Sequence, residues 1–139
     1  MNNNRVAVIR RATFNAAHKL WNEQWTIEKN KATFGLCANE NYHGHNYILE
    51  VKVIGEIDTE TGYVIDLKII KDIINNEIVE RFDHKNLNLD TAEFANLNPT
   101  AENIIVVIYQ LIRNKLDAKY DLFIKLWETE NNIFEYPVK

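Results

Sequence analysis

Two stretches of the chain alternate apolar and polar residues, and they constrain the fold more than any other feature. In the first, from Val6 to Ala17, the apolar residues share one parity, which His18 closes: Val6, Val8, Ala12, Phe14 and Ala16. In the second, from about Asn46 to Ile57, one face carries Tyr47, Leu49, Val51 and Val53. A period of two indicates a strand with one buried face. The sequence therefore predicts two long, half-buried strands.

Further elements follow in order along the chain. A short helix is predicted around "TIEKNKATF", "DTETG" is predicted to turn, and "YVID" to return as a strand in a hairpin with the second strand. Asp66 is the predicted N-cap of a helix from Leu67 to about Phe82, with a core-facing stripe of Leu67, Ile70, Ile74 and Ile78.

A second long helix and two final strands complete the predicted layout. Pro99 and Thr100 open a helix to about Leu116, whose buried side is predicted to carry Ile104, Ile108, Leu111 and Ile112. The strands "LFIKLWET" and "IFEYPV" then flank a turn. This order predicts one α+β domain over residues 1–139: an antiparallel sheet of four main strands with the two helices on one face. We expect its open edges to be closed by oligomerisation.

The net charge and the hydropathy of the chain argue against two classes of protein, nucleic-acid-binding proteins and membrane proteins. A net charge of −4 argues against a broad nucleic-acid surface. The N-terminal "MNNNRVAVIRR" has no apolar segment, and no apolar run is long enough to cross a bilayer. We expect a cytoplasmic protein without a membrane partner.

Three histidines are candidate metal ligands. His43 and His45 are two residues apart where the chain enters a strand, so their side chains point to the same face. Catalytic zinc takes three protein ligands and keeps one position open, and His18 could be the third ligand. The alternative for an H-x-H pair is two hydrogen-bonded surface histidines.

Cys37 is the only cysteine, so it forms no disulfide within the chain. Three interpretations are open: a small buried apolar residue, a fourth ligand of a closed structural site, or a base beside the metal whose thiolate is favoured by positive charge.

Several charged residues elsewhere have both structural and functional interpretations. Asp83 precedes His84 and could fix its tautomer, although "DHKN" is equally typical of a polar loop. Glu128 ends an apolar strand, either as an exposed charge or as a buried acceptor for a ligand with adjacent N–H donors. Glu102 lies in the first turn of a helix, so its primary interpretation is that it stabilises the helix dipole, and its secondary interpretation is that it contacts a ligand.

Five motifs in order resemble one family, the 6-pyruvoyl-tetrahydropterin and 6-carboxytetrahydropterin synthases. They are "FNAAH", "CANENYHGHNY", "DHKNLN", "PTAEN" and "ETENN", and they span about Phe14 to Tyr136. The resemblance implies Zn²⁺ held by His18, His43 and His45. It also implies a proton relay of Cys37 with Asp83 and His84 from a neighbouring subunit.

The resemblance further implies the substrate contacts and the assembly. Glu128 would bind the pterin, with Thr100 and Glu102 nearby. Trimers would close a β-barrel and pair into hexamers with active sites between subunits. The implied reaction is a carbon–oxygen lyase step that converts 7,8-dihydroneopterin triphosphate to 6-pyruvoyltetrahydropterin and expels triphosphate.

Other activities stay open at this point. Five residues separate Cys37 from His43, which resembles the pyruvoyl-forming subtype; the carboxypterin synthases of queuosine biosynthesis usually show three. The alternatives are therefore a 6-carboxytetrahydropterin synthase, a catalytically silent pterin- or zinc-binding homologue, and a purely structural zinc protein. The sequence leaves the product, the oligomeric state, the residues that bind the triphosphate and the resting protonation state of Cys37 undecided.

Overall fold

The structure is a computed structural model that describes residues 4–138. Met1–Asn3, the first residues of the N-terminal stretch considered above, and Lys139 lie outside it. The strands are β1 (Arg5–His18), β2 (His43–Glu56), β3 (Lys85–Asn86), β4 (Asp121–Trp127) and β5 (Ile133–Tyr136). The helices are α1 (Ile27–Phe34), α2 (Leu67–Ile74), α3 (Glu80–Phe82), α4 (Leu87–Asp90) and α5 (Ala101–Arg113). A 3₁₀ turn (Gly35–Ala38) follows α1, and a π-helical turn (Asn75–Val79) joins α2 to α3.

The five strands form one mixed sheet in the order β3-β1-β2-β4-β5. The long strands β1 and β2 pair antiparallel over 14 residues each, from Arg5 opposite Glu56 to His18 opposite His43. Strand β4 covers the other side of β2 from Ile48 to Ile54. The predicted α+β class is confirmed, and β2 is the central strand.

The predicted strand at "YVID" is wrong. Residues 63–66 form a loop after the turn, where the backbone N–H of Asp58 donates to the Tyr63 carbonyl. A hairpin partner could not extend along β2, because β1 occupies one side of this strand throughout and β4 occupies the other side as far as Ile54. Ile65 is buried nonetheless, so the segment contributes to the core without joining the sheet.

The prediction of four main strands missed a fifth. Strand β3 lies within the polar "DHKNLNLD" segment and pairs parallel to β1 through Ala16 and Ala17. A strand of two polar residues has no period that a sequence pattern can reveal. Its position sets where the neighbouring Asp83 and His84 lie.

The helices cover one face of the sheet, as predicted. Asp66 and Thr100 cap α2 and α5 by accepting from the backbone N–H of Lys68 and Asn103. Helix α5 ends at Arg113, three residues before the predicted Leu116. Within the core-facing stripe predicted for the helix that begins at Leu67, Leu67 itself is 52% exposed. The other three stripe residues are buried: Ile70, Ile74 and Ile78.

The core lies between these helices and the inner face of the sheet. That face is lined by Phe14, Tyr47, Leu49, Val51, Val53, Leu122, Ile124 and Leu126. Among residues 4–138 no helix is both long enough and apolar enough to span a bilayer. The inner face continues without a break into the three histidines at one end of the sheet.

Candidate metal centre and active site

The three predicted metal ligands converge at one end of the β1–β2 pair. His18 ends β1 and His43 begins β2 directly opposite it, while His45 lies opposite Ala16. One ring nitrogen from each histidine lies within 4.8 Å of those of the other two. The register explains the cluster, because opposed residues of an antiparallel pair and residues two apart on one strand share a face.

A backbone carbonyl fixes the orientation of the His18 ring. His18 is 1% exposed, and its Nδ1 lies 2.7 Å from the carbonyl oxygen of Pro99, just before α5. A carbonyl only accepts, so Nδ1 carries the hydrogen. Burial is the main reason why the pKa of His18 falls to about 4, and the ring is therefore neutral at pH 7. Its Nε2 consequently presents a lone pair to the cluster, as metal-bound histidines do.

The imidazoles fit a metal ion. Nε2 of His18 and Nε2 of His43 are 3.0 Å apart, close to the separation of about 3.3 Å that tetrahedral zinc imposes on nitrogen ligands at about 2.0–2.1 Å. Burial lowers the pKa of His43 as well, which favours the neutral, ligating form. His43 Nδ1 is buried with no hydrogen-bond partner among the described residues. The cluster is a site that could hold a metal ion.

Glu128 extends from the end of β4 over this cluster. Its Oε2 lies 3.9 Å from His18 Nε2, and the side chain is 18% exposed. Burial raises the pKa of Glu128; His45 lowers it in part and Glu102 raises it further. The carboxylate is therefore a part-buried acceptor at the mouth of the site. This position favours the predicted role as an acceptor for a ligand over that of an exposed charge.

Cys37 lies beside the site in the 3₁₀ turn after α1. Its backbone carbonyl accepts from the N–H of Leu20, which ties the turn to the residues after β1. Burial, and then the Glu128 carboxylate, raise the pKa of the Cys37 thiol. Within residues 4–138 the group of converging metal donors contains the three histidines and not this sulfur. That arrangement favours a base beside the metal over a fourth ligand.

Asp83 and His84 occupy the outer edge of β1, apart from the histidine cluster. Asp83 accepts from the backbone N–H of Asn15 at 2.8 Å and contacts His84 Nδ1 at 2.8 Å. The Asn15 bond, followed by the contact with His84, lowers the pKa of Asp83. His84 has φ of 60° and an 82% exposed side chain, and its N–H donates to the Asn15 carbonyl. The pair is preorganised and open to a partner.

Thr100 and Glu102, the remaining predicted contacts, are at the start of α5. The Thr100 hydroxyl accepts from Asn103 N as an N-cap. Glu102 is exposed and close enough to Glu128 to influence its pKa. The capping role of Thr100 thus explains a threonine at this position, whereas Glu102 adds negative charge at the mouth of the site.

The site also contains Tyr47, for which the sequence pattern predicts only a place on the buried face of a strand. It is fully buried, and its hydroxyl has no hydrogen-bond partner among the described residues. Its ring centroid is 5.7 Å from that of His45 and 6.4 Å from that of His18. Burial, Glu128 and Cys37 together raise its pKa. Its parity with His43 and His45 was the signal that it faces the same site.

Comparison with known proteins decides the family. The family model "6-pyruvoyl tetrahydropterin synthase" matches residues 7–138. The chain belongs to this family. The 6-pyruvoyl tetrahydrobiopterin synthases of Drosophila melanogaster and Homo sapiens are 42% and 40% identical to it, covering 91% and 93% of this chain and 76% and 89% of their own lengths. The solved 6-pyruvoyl tetrahydropterin synthase of Caenorhabditis elegans superposes with a TM-score of 0.92 at 33% identity, over 100% of both chains.

Relatives that are named for other activities are also similar to this chain. A dihydroneopterin monophosphate aldolase of Pyrococcus furiosus is 37% identical over 87% of this chain and 88% of its own. A 6-carboxy-5,6,7,8-tetrahydropterin synthase of Rickettsia conorii is 33% identical over 91% of this chain and 96% of its own. The predicted family and the prediction of a pterin-pathway enzyme are confirmed.

Proposed function

We propose that this chain is a zinc-dependent 6-pyruvoyl-tetrahydropterin synthase that acts on 7,8-dihydroneopterin triphosphate. The observation that carries the proposal is the convergence of three imidazoles with a part-buried carboxylate and a thiol at one end of the sheet. The similarity to synthases with this name over more than nine-tenths of the chain supports the same substrate.

His18, His43 and His45 would hold the zinc ion. When bound, the metal supplies Lewis-acid polarisation of the substrate's side-chain hydroxyls, which makes the adjacent C–H bonds more acidic. A metal-bound imidazole contributes no charge of its own, so three such ligands would leave the full charge of the ion available. Nitrogen ligands of this number are typical of catalytic zinc, because one position stays open.

Glu128 would orient the pterin by accepting hydrogen bonds from its amino and ring N–H groups. A carboxylate can accept two parallel N–H bonds, and such charge-assisted bonds are strong in a water-poor site. The carboxylate lies at the end of β4, directly beside the histidines, so a pterin bound there places its side chain at the cluster.

Cys37 would take up and return a proton of the substrate side chain. The overall conversion expels triphosphate and moves hydrogen from the side chain to the ring, so it needs proton carriers but no external oxidant or reductant. Burial, followed by the Glu128 carboxylate, raises the pKa of Cys37 and so favours its thiol form. A nearby cation would favour its thiolate, which is the basic form.

Asp83 and His84 would complete the relay in the site of a neighbouring copy. The Asp83 carboxylate holds His84 Nδ1, which leaves Nε2 of this exposed ring free for a proton donated or accepted across an interface. Assembly into trimers and a homohexamer, with the long β1 edge closed by a neighbour, would bring the pair to that site.

The test is product analysis by mass spectrometry after the purified, zinc-loaded protein is incubated with 7,8-dihydroneopterin triphosphate. We expect triphosphate and 6-pyruvoyltetrahydropterin. Release of acetaldehyde would instead identify a 6-carboxytetrahydropterin synthase. No turnover with intact substrate binding would identify a catalytically silent homologue. The five-residue spacing between Cys37 and His43 favours the first outcome.

A further inference from the structure

The Tyr47 hydroxyl is buried beside the histidines and bonds nothing among residues 4–138. The ring is held rigidly: it is 0% exposed and stacks on Phe14, with centroids 4.9 Å apart and planes at 11°. A phenylalanine would fill this space without burying an unpaired hydroxyl, which is costly. A tyrosine at this position therefore indicates that its hydroxyl has a hydrogen-bond partner when the site is in use.

The register of the sheet identifies the neighbour that can supply it. Ile48 pairs with Trp127 across β2 and β4, and one residue further along each strand are Tyr47 and Glu128. Residues opposed in this way point to the same face with Cβ atoms about 4.5–5.5 Å apart. Glu128 is thus the cross-strand neighbour of Tyr47, as Phe14 is on the other side.

We propose that Tyr47 is a positioning residue for the pterin-binding carboxylate: its hydroxyl donates a hydrogen bond to Glu128 when the site is loaded. The proposal rests on the proposed function, because it takes Glu128 as the group that accepts the pterin N–H donors. Tyr47 supplies a donor and no charge, and Glu128 supplies acceptor positions beyond those that the pterin uses.

The side chain that moves is Glu128. Tyr47 is fully buried and stacks on Phe14, whereas Glu128 is partly exposed and has three rotatable torsions. In the structure its Oε2 faces His18 Nε2 at 3.9 Å. A fixed donor on the other side of the carboxylate would select the rotamer that presents the remaining lone pairs to the pterin, so that less rotamer freedom is lost on binding.

The test measures binding of 7,8-dihydroneopterin, which lacks the triphosphate, to the zinc-loaded protein by calorimetry. We expect Tyr47→Phe to fold, to keep its zinc and its thermal stability, and to raise the Kd about tenfold, because bonds to a carboxylate are among the stronger hydrogen bonds. In a Glu128→Gln background the uncharged acceptor should reduce the effect of Tyr47→Phe to about threefold.

Tyr120→Phe is the matched control. The Tyr120 hydroxyl donates to the Val64 carbonyl at 3.0 Å, and its ring packs near Gly55 at the opposite end of the sheet. This variant should lose thermal stability and bind the pterin as the wild type does. The two tyrosine variants thus separate a positioning hydroxyl from a structural one.

Three results would overturn the inference: an unchanged Kd in Tyr47→Phe, an equal tenfold loss in the Glu128→Gln background, or a loss of zinc from Tyr47→Phe. The second would mean that the hydroxyl acts through another group, and the third that it supports the histidines. Failure of the wild type to bind the pterin or to form product counts against the proposed function instead.

Discussion

At the scale of single residues, the site contains side chains that are hydrogen-bonded within the chain and others that have no partner among the described residues. Asp83 and Thr100 have partners within the chain, on Asn15 and Asn103. His43 Nδ1 and the Tyr47 hydroxyl have none among the described residues. Unpaired buried groups mark sites that a ligand completes. We therefore expect substitutions at the two kinds of residue to affect different measurements.

Replacing Cys37 and His43 tests whether the thiol is a base or a ligand. Cys37→Ala should keep one zinc per chain and lose at least about a hundredfold in kcat, because proton transfer is lost and the histidines remain. His43→Ala should lose zinc, since a three-nitrogen site keeps only two ligands. Metal analysis and steady-state kinetics measure both.

Three outcomes would contradict these assignments. Zinc released from Cys37→Ala would show a closed structural site, and full activity in Cys37→Ala would remove the thiol from the relay. Zinc retained at full stoichiometry in His43→Ala would remove His43 from the ligand set. Cys37→Ser is the matched control, because a hydroxyl is similar in volume to a thiol but does not ionise near neutral pH and so supplies no basic form.

At the scale of elements, the site depends on the start of α5 as much as on the strands. The carbonyl of Pro99 orients His18, and the next residue, Thr100, caps the helix. The cap satisfies Asn103 N and fixes where the helix begins, so it also fixes Pro99. The hydrogen bond from the Asn103 side chain to the Asn98 carbonyl adds a second tie to the same segment.

Thr100→Ala should lower the free energy of unfolding by about 1 kcal/mol, as removal of an N-cap does. Urea denaturation of the zinc-loaded protein measures it. Asp66→Ala removes the corresponding cap of α2 and is the matched control. Both should lose similar stability, but only Thr100→Ala should weaken zinc binding, through Pro99 and His18. Equal zinc affinity in the two variants would show that the Thr100 cap does not support the metal site.

The elements also show what could be predicted from the sequence and what could not. The parity of β2 predicted the buried Tyr47, Leu49, Val51 and Val53, because each pattern is local. The false strand at 63–66 and the missed β3 both concern pairing, which depends on distant strands that compete for one edge. The clustering of the histidines followed from parity, whereas the Pro99 carbonyl carries no side-chain signal and appeared only in the structure.

At the scale of the whole molecule, the isolated chain leaves edges open. The outer edge of β1 pairs with β3 only at Ala16 and Ala17, within the part of the chain that is described. The side chain of Leu36, next to Cys37, is 81% exposed. Exposed apolar residues and open edges are typical of surfaces that a neighbouring subunit covers. They are consistent with the proposed site between subunits.

Mixing inactive variants tests that proposal. If Cys37 of one subunit works with His84 of the next, co-assembled Cys37→Ala and His84→Ala chains should recover about a quarter of wild-type activity, because random assembly gives one intact site in four. Activity assays after joint refolding measure it. Cys37→Ala mixed with His43→Ala is the control and should recover nothing, since both residues come from one chain. No recovery in the first mixture would place the relay within one subunit.

The opposition of His18 and His43 at the end of a 14-residue ladder also limits how the length of this chain can vary. Deleting or inserting one residue within β1 or β2 would turn one partner to the opposite face of the sheet and separate the imidazoles. Changes of length are compatible with the three-histidine cluster only where no ladder is interrupted, such as the segments 19–42 and 57–66. Relatives that keep the cluster should therefore differ in length in these connecting segments and keep the lengths of the two strands constant.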